Sequence, residues 1–515
     1  MTNAAAAARG TLFTLVLRIF SFLSSQITFR LVDVASLGKA SIELELISST
    51  ILFFSREGFR LALTKQELDT PQLWNNAWCT VIAHSILAFL GATWLLLYSY
   101  SSKNNDDDDN DDDDDDDADY QIAGLLYCTA AWMEGWAEPR VLYCLRTLNI
   151  ATKASAEGIG TFVKTLATIT CLLTHPTYPV TAFGVGQLSY AIGVNIYLYR
   201  ATPNLPYPSI KDGLDYNTLK LTGIFTLQGI LKHLLTEGDR IVLSTLANHY
   251  HQGIYAIASA YGGMAARLFL QPLEENARLL WTRPQKNLQH SYTLVVKAVL
   301  YVGAVFTFLA VNYTSVLLTI VGQPREAASV LSAFCVYTGV LAWNGMTEAL
   351  VYATSTTGTD IGKLSAAHTM VGAVFGGLAP VLVARYSTVG LVAANAVCMC
   401  MRIGYSIRFA AHHFSVGTKT VGFMTLVRDM VPHPIVLASF VTSYGVTRFS
   451  LERLRTYEST LVDETISLRN IDWLLHASQH VLVGIISLMV VVAVTMSREG
   501  NFRKQLRNLV KDRTD

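Results

Sequence analysis

This chain carries little charge for its length. Asp, Glu, Lys and Arg make up only 15% of its 515 residues, against 51% hydrophobic residues, and the mean hydropathy is +0.35. A soluble enzyme of this length carries far more charge, so the composition predicts a polytopic membrane protein. Cysteine is also sparse: the seven (Cys79, Cys128, Cys144, Cys171, Cys335, Cys398 and Cys400) all fall in apolar stretches, with no spacing suited to a metal or a disulfide framework. They are expected to be small core residues. Long polar connections are missing too, the longest running to about 20 to 25 residues, which leaves no room for a soluble catalytic domain between the apolar stretches. Nucleotide-binding motifs fail on inspection. Gly358-Thr-Asp-Ile-Gly362-Lys363 is one residue short of a phosphate loop and precedes Leu364, and Gly184-Val-Gly186 lacks its third glycine. The histidines at 249, 251, 412 and 413 match no metal cluster. Neither ATP hydrolysis nor any metal or cofactor is expected, and no enzymatic activity. The apolar run 12–29 contains Arg18 and lacks a small-residue cleavage site, so it is expected to remain as a first span.

What is present is a series of apolar stretches of helix length, too long for barrel strands. They predict fourteen transmembrane helices near 11–33, 41–64, 74–100, 120–147, 151–174, 178–200, 219–247, 250–271, 291–320, 325–352, 361–385, 388–410, 433–455 and 473–496. A faint repeat groups them. Arg30 precedes Arg56 much as Arg240 precedes Arg267, and Glu57-Gly-Phe-Arg60 parallels Glu275-Asn-Ala-Arg278. The expected organisation is therefore a six-helix bundle over 1–200, a linker at 201–218 and a second bundle over 219–410 in parallel repeat. A loop at 411–432, two additional helices within 433–496 and a basic tail at 497–515 complete it.

Lys and Arg alternate in density between the connections. With a cytosolic N-terminus, the cytosolic side collects 20 of them and the opposite side 8, so both termini are expected in the cytosol. Twelve of the 39 acids are Asp within 106–119, and without them 39 bases face 27 acids. A block of like charge repels itself and is expected to be a solvated, disordered loop at 101–119. The sequon Asn312-Tyr313-Thr314 sits in an apolar run and is expected to be buried.

Against this background, ionisable residues inside apolar stretches carry information. Each costs roughly 2.5–3.5 kcal/mol near a helix centre, so it is expected to face other helices or a watery cavity. Glu237, Asp239, Arg240, Arg267, Glu274 and Glu275 cluster between 236 and 283 and predict such a cavity. On the second span Glu45, Ser49, Arg56 and Arg60 share a helical stripe, and on the first Gln26 and Arg30 share a face. Arginine suits phosphate because its planar fork stays charged and gives paired hydrogen bonds. The alternative reading is interior ion pairs or interfacial snorkelling. Asn344, Glu348 and Tyr352 recur every four residues, and Asn395 and Arg402 share a face. A Glu348–Arg402 pair would either cancel charge within a bundle or act as a gate.

Several phrases resemble one family. Leu37-Gly-Lys-Ala-Ser-Ile-Glu-Leu-Glu-Leu46, Thr50-Ile-Leu-Phe-Phe-Ser-Arg-Glu-Gly-Phe-Arg60, Thr236-Glu-Gly-Asp-Arg240, Ala266-Arg-Leu-Phe-Leu-Gln-Pro-Leu-Glu-Glu275 and Trp343-Asn-Gly-Met-Thr-Glu348 are similar to the Rft family of oligosaccharide-lipid translocation proteins. The Asp run lies outside that pattern. The resemblance implies an all-α endoplasmic-reticulum membrane protein of the multidrug, oligosaccharidyl-lipid and polysaccharide exporter superfamily, with a lipid-flippase or MATE-like fold. It implies passage of a mannose-rich dolichol-pyrophosphate-linked oligosaccharide from the cytosolic to the lumenal leaflet for N-glycosylation. It also implies functional roles for Arg30, Arg56, Glu237, Arg267 and Arg402.

In that reading Arg30, Arg56, Arg267 and Arg402 bind pyrophosphate in a polar cavity between two bundles. Glu45, Arg60, Glu237, Asp239, Asn344 and Glu348 supply ion pairs or gating. The partners expected are the oligosaccharide lipid, membrane lipids and proteins of the dolichol pathway, with no nucleic acid. Three alternatives stay open. One is a scaffold for oligosaccharide-lipid assembly; another is a glycosyltransferase using Glu237-Gly-Asp239; the third is an exporter of small molecules, for which an acidic, aromatic pocket would fit better than three arginines.

Overall fold

The computed structural model describes residues 23–64, 70–103, 111–203, 205, 207–283, 287–355, 358–415, 421–461, 466 and 470–499. The start of the first expected span, Asp106 to Asp109 and the basic tail beyond 499 lie outside the described residues. Within them the chain is helical, with no strand. Among the described residues six helices are long and apolar enough to cross a membrane: Pro71–Leu97, Ile150–Thr174, Leu288–Asn312, Ala327–Thr354, Gly362–Phe414 and Ile471–Arg498. The chain divides into two compact units, Met1–Ala256 and Ile257–Asp515.

The first unit begins with α1 (residues 23–31). Next comes α2 (Val34–Gly38), which passes through a π-helical turn (Lys39–Leu44) into α3 (Glu45–Thr64). Small residues let neighbours approach closely, the means by which helices pack without help from water. Gly58 of α3 lies against Thr222 and Thr226 of α8 (Tyr216–Thr236). α3 also packs against α4 (Pro71–Lys103) and α5 (Asp111–Arg146), and α5 in turn against α7 (Pro179–Ala201), which pairs with α6 (Ile150–Thr174). Gly184 of α7 meets Ala123 and Leu126 of α5, and Gly186 meets Thr168 of α6.

Of the disordered loop expected at 101–119, the structure corrects 101–103 and 111–119, which are helical, while 104–110 lie outside the described residues. Residues 111–119 form the first turns of α5, where the exposed N–H groups of a helix start favour acidic side chains. Asp119, the last of the run, is buried. Its carboxylate accepts from the backbone N–H of Val180 (2.8 Å) and Thr181 (2.7 Å), satisfying the start of α7 beside Pro179. Asp119→Ala should therefore cost about 1–2 kcal/mol, as losing a helix cap does. Thermal unfolding of purified protein checks this.

The span expected at 219–247 is also corrected. It is two helices, α8 and α9 (Gly238–Leu246), which part at Glu237. With 21 residues α8 alone extends about 30 Å, the thickness of a hydrocarbon core. Glu237, Asp239 and Arg240 therefore sit beyond the end of a full-length helix rather than at its middle, and Gly238 marks the interruption. α10 (His249–Ala265) follows.

In the second unit a π-helical turn (Ala266–Leu270) leads into α11 (Gln271–Trp281). Its other helices are α12 (Leu288–Phe308), α13 (Thr314–Val321), α14 (Ala327–Thr354), α15 (Gly358–Phe414), α16 (Phe423–Met430), α17 (Pro434–Glu458) and α18 (Ile471–Arg498). The span expected at 291–320 is interrupted between α12 and α13 by a 3-10 turn (Ala310–Asn312). Asn312 is buried and donates to Thr447 Oγ1 (2.8 Å). α14 is the hub, packed against α11, α12 and α15 in a core that includes Trp281, Tyr292, Met346 and Ile403. α15 bends at Ser387, whose φ of 52° breaks its helical path. α17 and α18 pair, locked where Glu458 accepts from Trp473 Nε1 (2.9 Å) and from Arg325.

Candidate functional site

The stripe expected on α3 is present, but its residues divide between two tasks. Arg60 is committed to structure: its Nε and Nη2 donate to the two carboxylate oxygens of Glu138 on α5, at 2.5 and 2.8 Å. One turn back, Arg56 Nη1 reaches Glu134 at only 3.4 Å. The two pairs form a ladder, each partner 78 residues from its arginine. Acids at i and i+4 on α5 thus match bases at i and i+4 on α3. This arrangement cancels charge between helices that would otherwise bury it at high cost.

Arg56 and Glu45 also line a cavity of about 500 Å³ inside the first unit, with Glu134, Lys164, Gln187 and Tyr190 among the other lining residues. Lys164, from the middle of α6, donates to Gln187 Oε1 at 2.6 Å, and Gln187 Nε2 reaches Glu134 at 3.3 Å. Two bases and two acids face the cavity. Glu134, Glu138, Lys164 and Gln187 were missed by sequence reasoning, although Glu134, Glu138 and Lys164 are ionisable residues within apolar spans, the signal that singled out Arg56.

A second cluster stands in the second unit. Glu348 of α14 is buried, and a single guanidinium nitrogen of Arg402 donates to both its oxygens, at 2.8 and 2.7 Å. Asn344 donates to the same carboxylate at 3.2 Å, and His368 Nε2 lies 2.5 Å from it. His368 precedes the bend at Ser387 and Arg402 follows it, so one carboxylate joins both arms of α15. Sequence reasoning anticipated the Glu348–Arg402 meeting and overlooked His368. Glu274 of α11 lies against Gly345 on the neighbouring turn of α14.

The remaining expected residues are elsewhere. Arg30 on α1 and Arg267 in the π-helical turn are exposed, and Arg267 Nε donates to Gly263 O at 3.1 Å. Glu237 and Arg240 pair with each other at 2.7 Å, and Asp239 accepts from Tyr255 Oη at 2.7 Å. Arg56 and Glu45 thus share a site in the first unit, whereas Arg402, Glu348 and Asn344 share one in the second. Among the described residues no group of three His, Cys, Asp or Glu side chains is placed to hold a metal ion.

A family model described as "Rft protein" matches residues 4–509. The chain belongs to the Rft family. Among its relatives is the Man(5)GlcNAc(2)-PP-dolichol translocation protein RFT1 of Yarrowia lipolytica, 26% identical over 83% of this chain and 72% of that protein. The proteins of the same description from Schizosaccharomyces pombe and Mus musculus are 25% and 26% identical, over 85% and 86% of this chain and 87% of each relative. Among solved structures, the lipid II flippase MurJ in an inward closed conformation superposes with a TM-score of 0.61 at 13% identity, covering 95% of this chain and 99% of MurJ. An inward-facing multidrug resistance MATE family transporter gives 0.56 at 14% identity, over 78% of this chain and all of that one. At such identities the likeness is one of fold: this Rft-family chain has the helical architecture of flippases and MATE transporters.

Proposed function

We propose that this protein carries a mannose-rich, dolichol-pyrophosphate-linked oligosaccharide from the cytosolic to the lumenal leaflet of the endoplasmic reticulum, supplying protein N-glycosylation. The observation that carries the reading is the charged, hydroxyl-rich cavity of the first unit, set among apolar helices in a chain whose relatives are named for this translocation. A sugar hydroxyl moved into hydrocarbon without a partner costs about 4–8 kcal/mol. A head group with many hydroxyls needs a polar surface to follow, and the cavity supplies one while the polyprenyl tail stays in lipid. The exposed guanidinium groups of Arg30 and Arg267 suit the pyrophosphate. Glu348, shared by Arg402, Asn344 and His368, serves as a gate whose contacts differ between inward-open and outward-open states. The full arrangement in this reading is fourteen membrane helices, two six-helix bundles in parallel repeat plus two, with both termini cytosolic. The protein itself makes or breaks no covalent bond.

Arg56 is the residue by which cells can test this. In cells depleted of the endogenous protein, Arg56→Lys should restore N-glycosylation only in part, because a point charge replaces a fork, and Arg56→Glu should fail, because it sets a third carboxylate into the cavity beside Glu45 and Glu134. Full restoration by both variants would remove the cavity from the mechanism.

A further inference from the structure

The hydrogen-bonding character of the first unit's cavity identifies which part of a lipid-linked sugar it suits. Thr28, Thr161, Thr165 and Thr168 line it, and each donates its hydroxyl proton to the backbone carbonyl one turn earlier, at 3.2, 2.8, 2.9 and 2.9 Å. A hydroxyl whose proton is so committed offers a ligand only its oxygen lone pairs. Glu45 and Glu134 add carboxylates, which when ionised only accept. The lining thus combines acceptors from the threonines and carboxylates with donors from Arg56, Lys164 and the hydroxyls of Ser24, Ser41, Tyr127 and Tyr190. Its cations are Arg56, reached by Glu134, and Lys164, bonded to Gln187.

Pyrophosphate only accepts, so it would leave the threonine and carboxylate acceptors unanswered, and of the two bases that could meet its charge Arg56 is reached by Glu134 and Lys164 is bonded to Gln187. A sugar ring has no net charge, and every hydroxyl on it can donate to such a lining while accepting from Arg56 or Lys164. Tyr127, Tyr190 and Phe183 supply rings for the apolar faces of a pyranose. At about 500 Å³ the cavity lies within the small-molecule range of roughly 300–1,000 Å³.

We infer that this cavity is a carbohydrate subsite, holding sugar rings of the glycan and not its pyrophosphate. The identity of the glycan rests on the translocation reading above; the preference for sugar over pyrophosphate rests on the lining.

Ligand-observed NMR on the purified full-length protein in detergent tests this with two probes, the free Man(5)GlcNAc(2) glycan lacking pyrophosphate and lipid, and inorganic pyrophosphate. The glycan should bind saturably. Thr161→Val/Thr165→Val, which keeps shape and removes two acceptors, should weaken it about tenfold or more, as the loss of about 1.4 kcal/mol would. Pyrophosphate should show no binding that Arg56→Gln removes. Glu45→Gln serves as the second variant should the threonine pair not fold, and should weaken glycan binding likewise. The inference is overturned if pyrophosphate binds through Arg56 while the glycan does not, if neither probe binds, or if the folded variants bind the glycan unchanged. Failure here with leaflet exchange intact in vesicles would sink the sugar subsite and leave translocation standing. Glycan binding without exchange would do the reverse.

Discussion

Glu348→Ala should leave little folded protein. The substitution strands the Arg402 guanidinium, takes the shared carboxylate from His368 and Asn344, and unties both arms of α15 at once. Removing one partner of a buried ion pair costs about 3–5 kcal/mol, a large share of the roughly 5–15 kcal/mol that holds a typical domain. The expected result is loss of the monodisperse peak in size-exclusion chromatography of detergent extracts, with loss of N-glycosylation in dependent cells. Glu348→Met combined with Arg402→Met separates stability from gating, since replacing both partners with apolar residues is often neutral for folding. That variant should fold and still fail to support glycosylation. A Glu348→Ala protein as abundant and as stable as the parent would mean the cluster holds nothing together.

Gly253→Ala should be nearly as damaging, for steric rather than electrostatic reasons. A Cβ at Gly253 would lie 1.8 Å from the carbonyl oxygen of Val34, and one at Gly38 would lie 2.1 Å from that of His249. Both obstacles are backbone, so no rotamer change relieves them and α2 and α10 must separate. Overpacking typically costs about 1–3 kcal/mol and more where the backbone must move, so both variants should lose several degrees of thermal stability or fail to fold. Gly376→Ala is the control: no atom lies within 4 Å of its added methyl. Within a helix that exchange should stabilise by about 0.5–1 kcal/mol. Equal melting temperatures for the three variants would contradict the close approach of α2 and α10.

The membrane class, the helix-rich fold and the family were legible because each is written locally. Apolar runs of helix length mark most helices, and contiguous phrases such as Thr50 to Arg60 carry the family. Two kinds of feature escaped. The break at Leu309 lies inside an apolar run, and the one at Glu237 falls at Thr236-Glu-Gly-Asp-Arg240, whose charges read equally well as ionisable residues facing a cavity, so length alone joined what these segments divide. Partners across helices escaped as well. Nothing periodic connects Arg60 with Glu138 or Glu348 with His368, because those meetings are made by packing. The Asp run misled for a related reason: its composition predicts a solvated loop, but a helix start tolerates acids and Asp119 has backbone N–H groups to accept from.

Reconstitution decides whether the protein itself moves the lipid. Purified protein in lipid vesicles, loaded with Man(5)GlcNAc(2)-pyrophosphate-dolichol, should equilibrate that lipid between leaflets, measured by how much becomes accessible to an added mannosidase. Exchange should run well above that of protein-free vesicles and be lost on Arg56→Glu. Absence of exchange from protein that still restores N-glycosylation in deficient cells would contradict direct translocation, and would make the cavity of the first unit a place where a glycan is held but not moved.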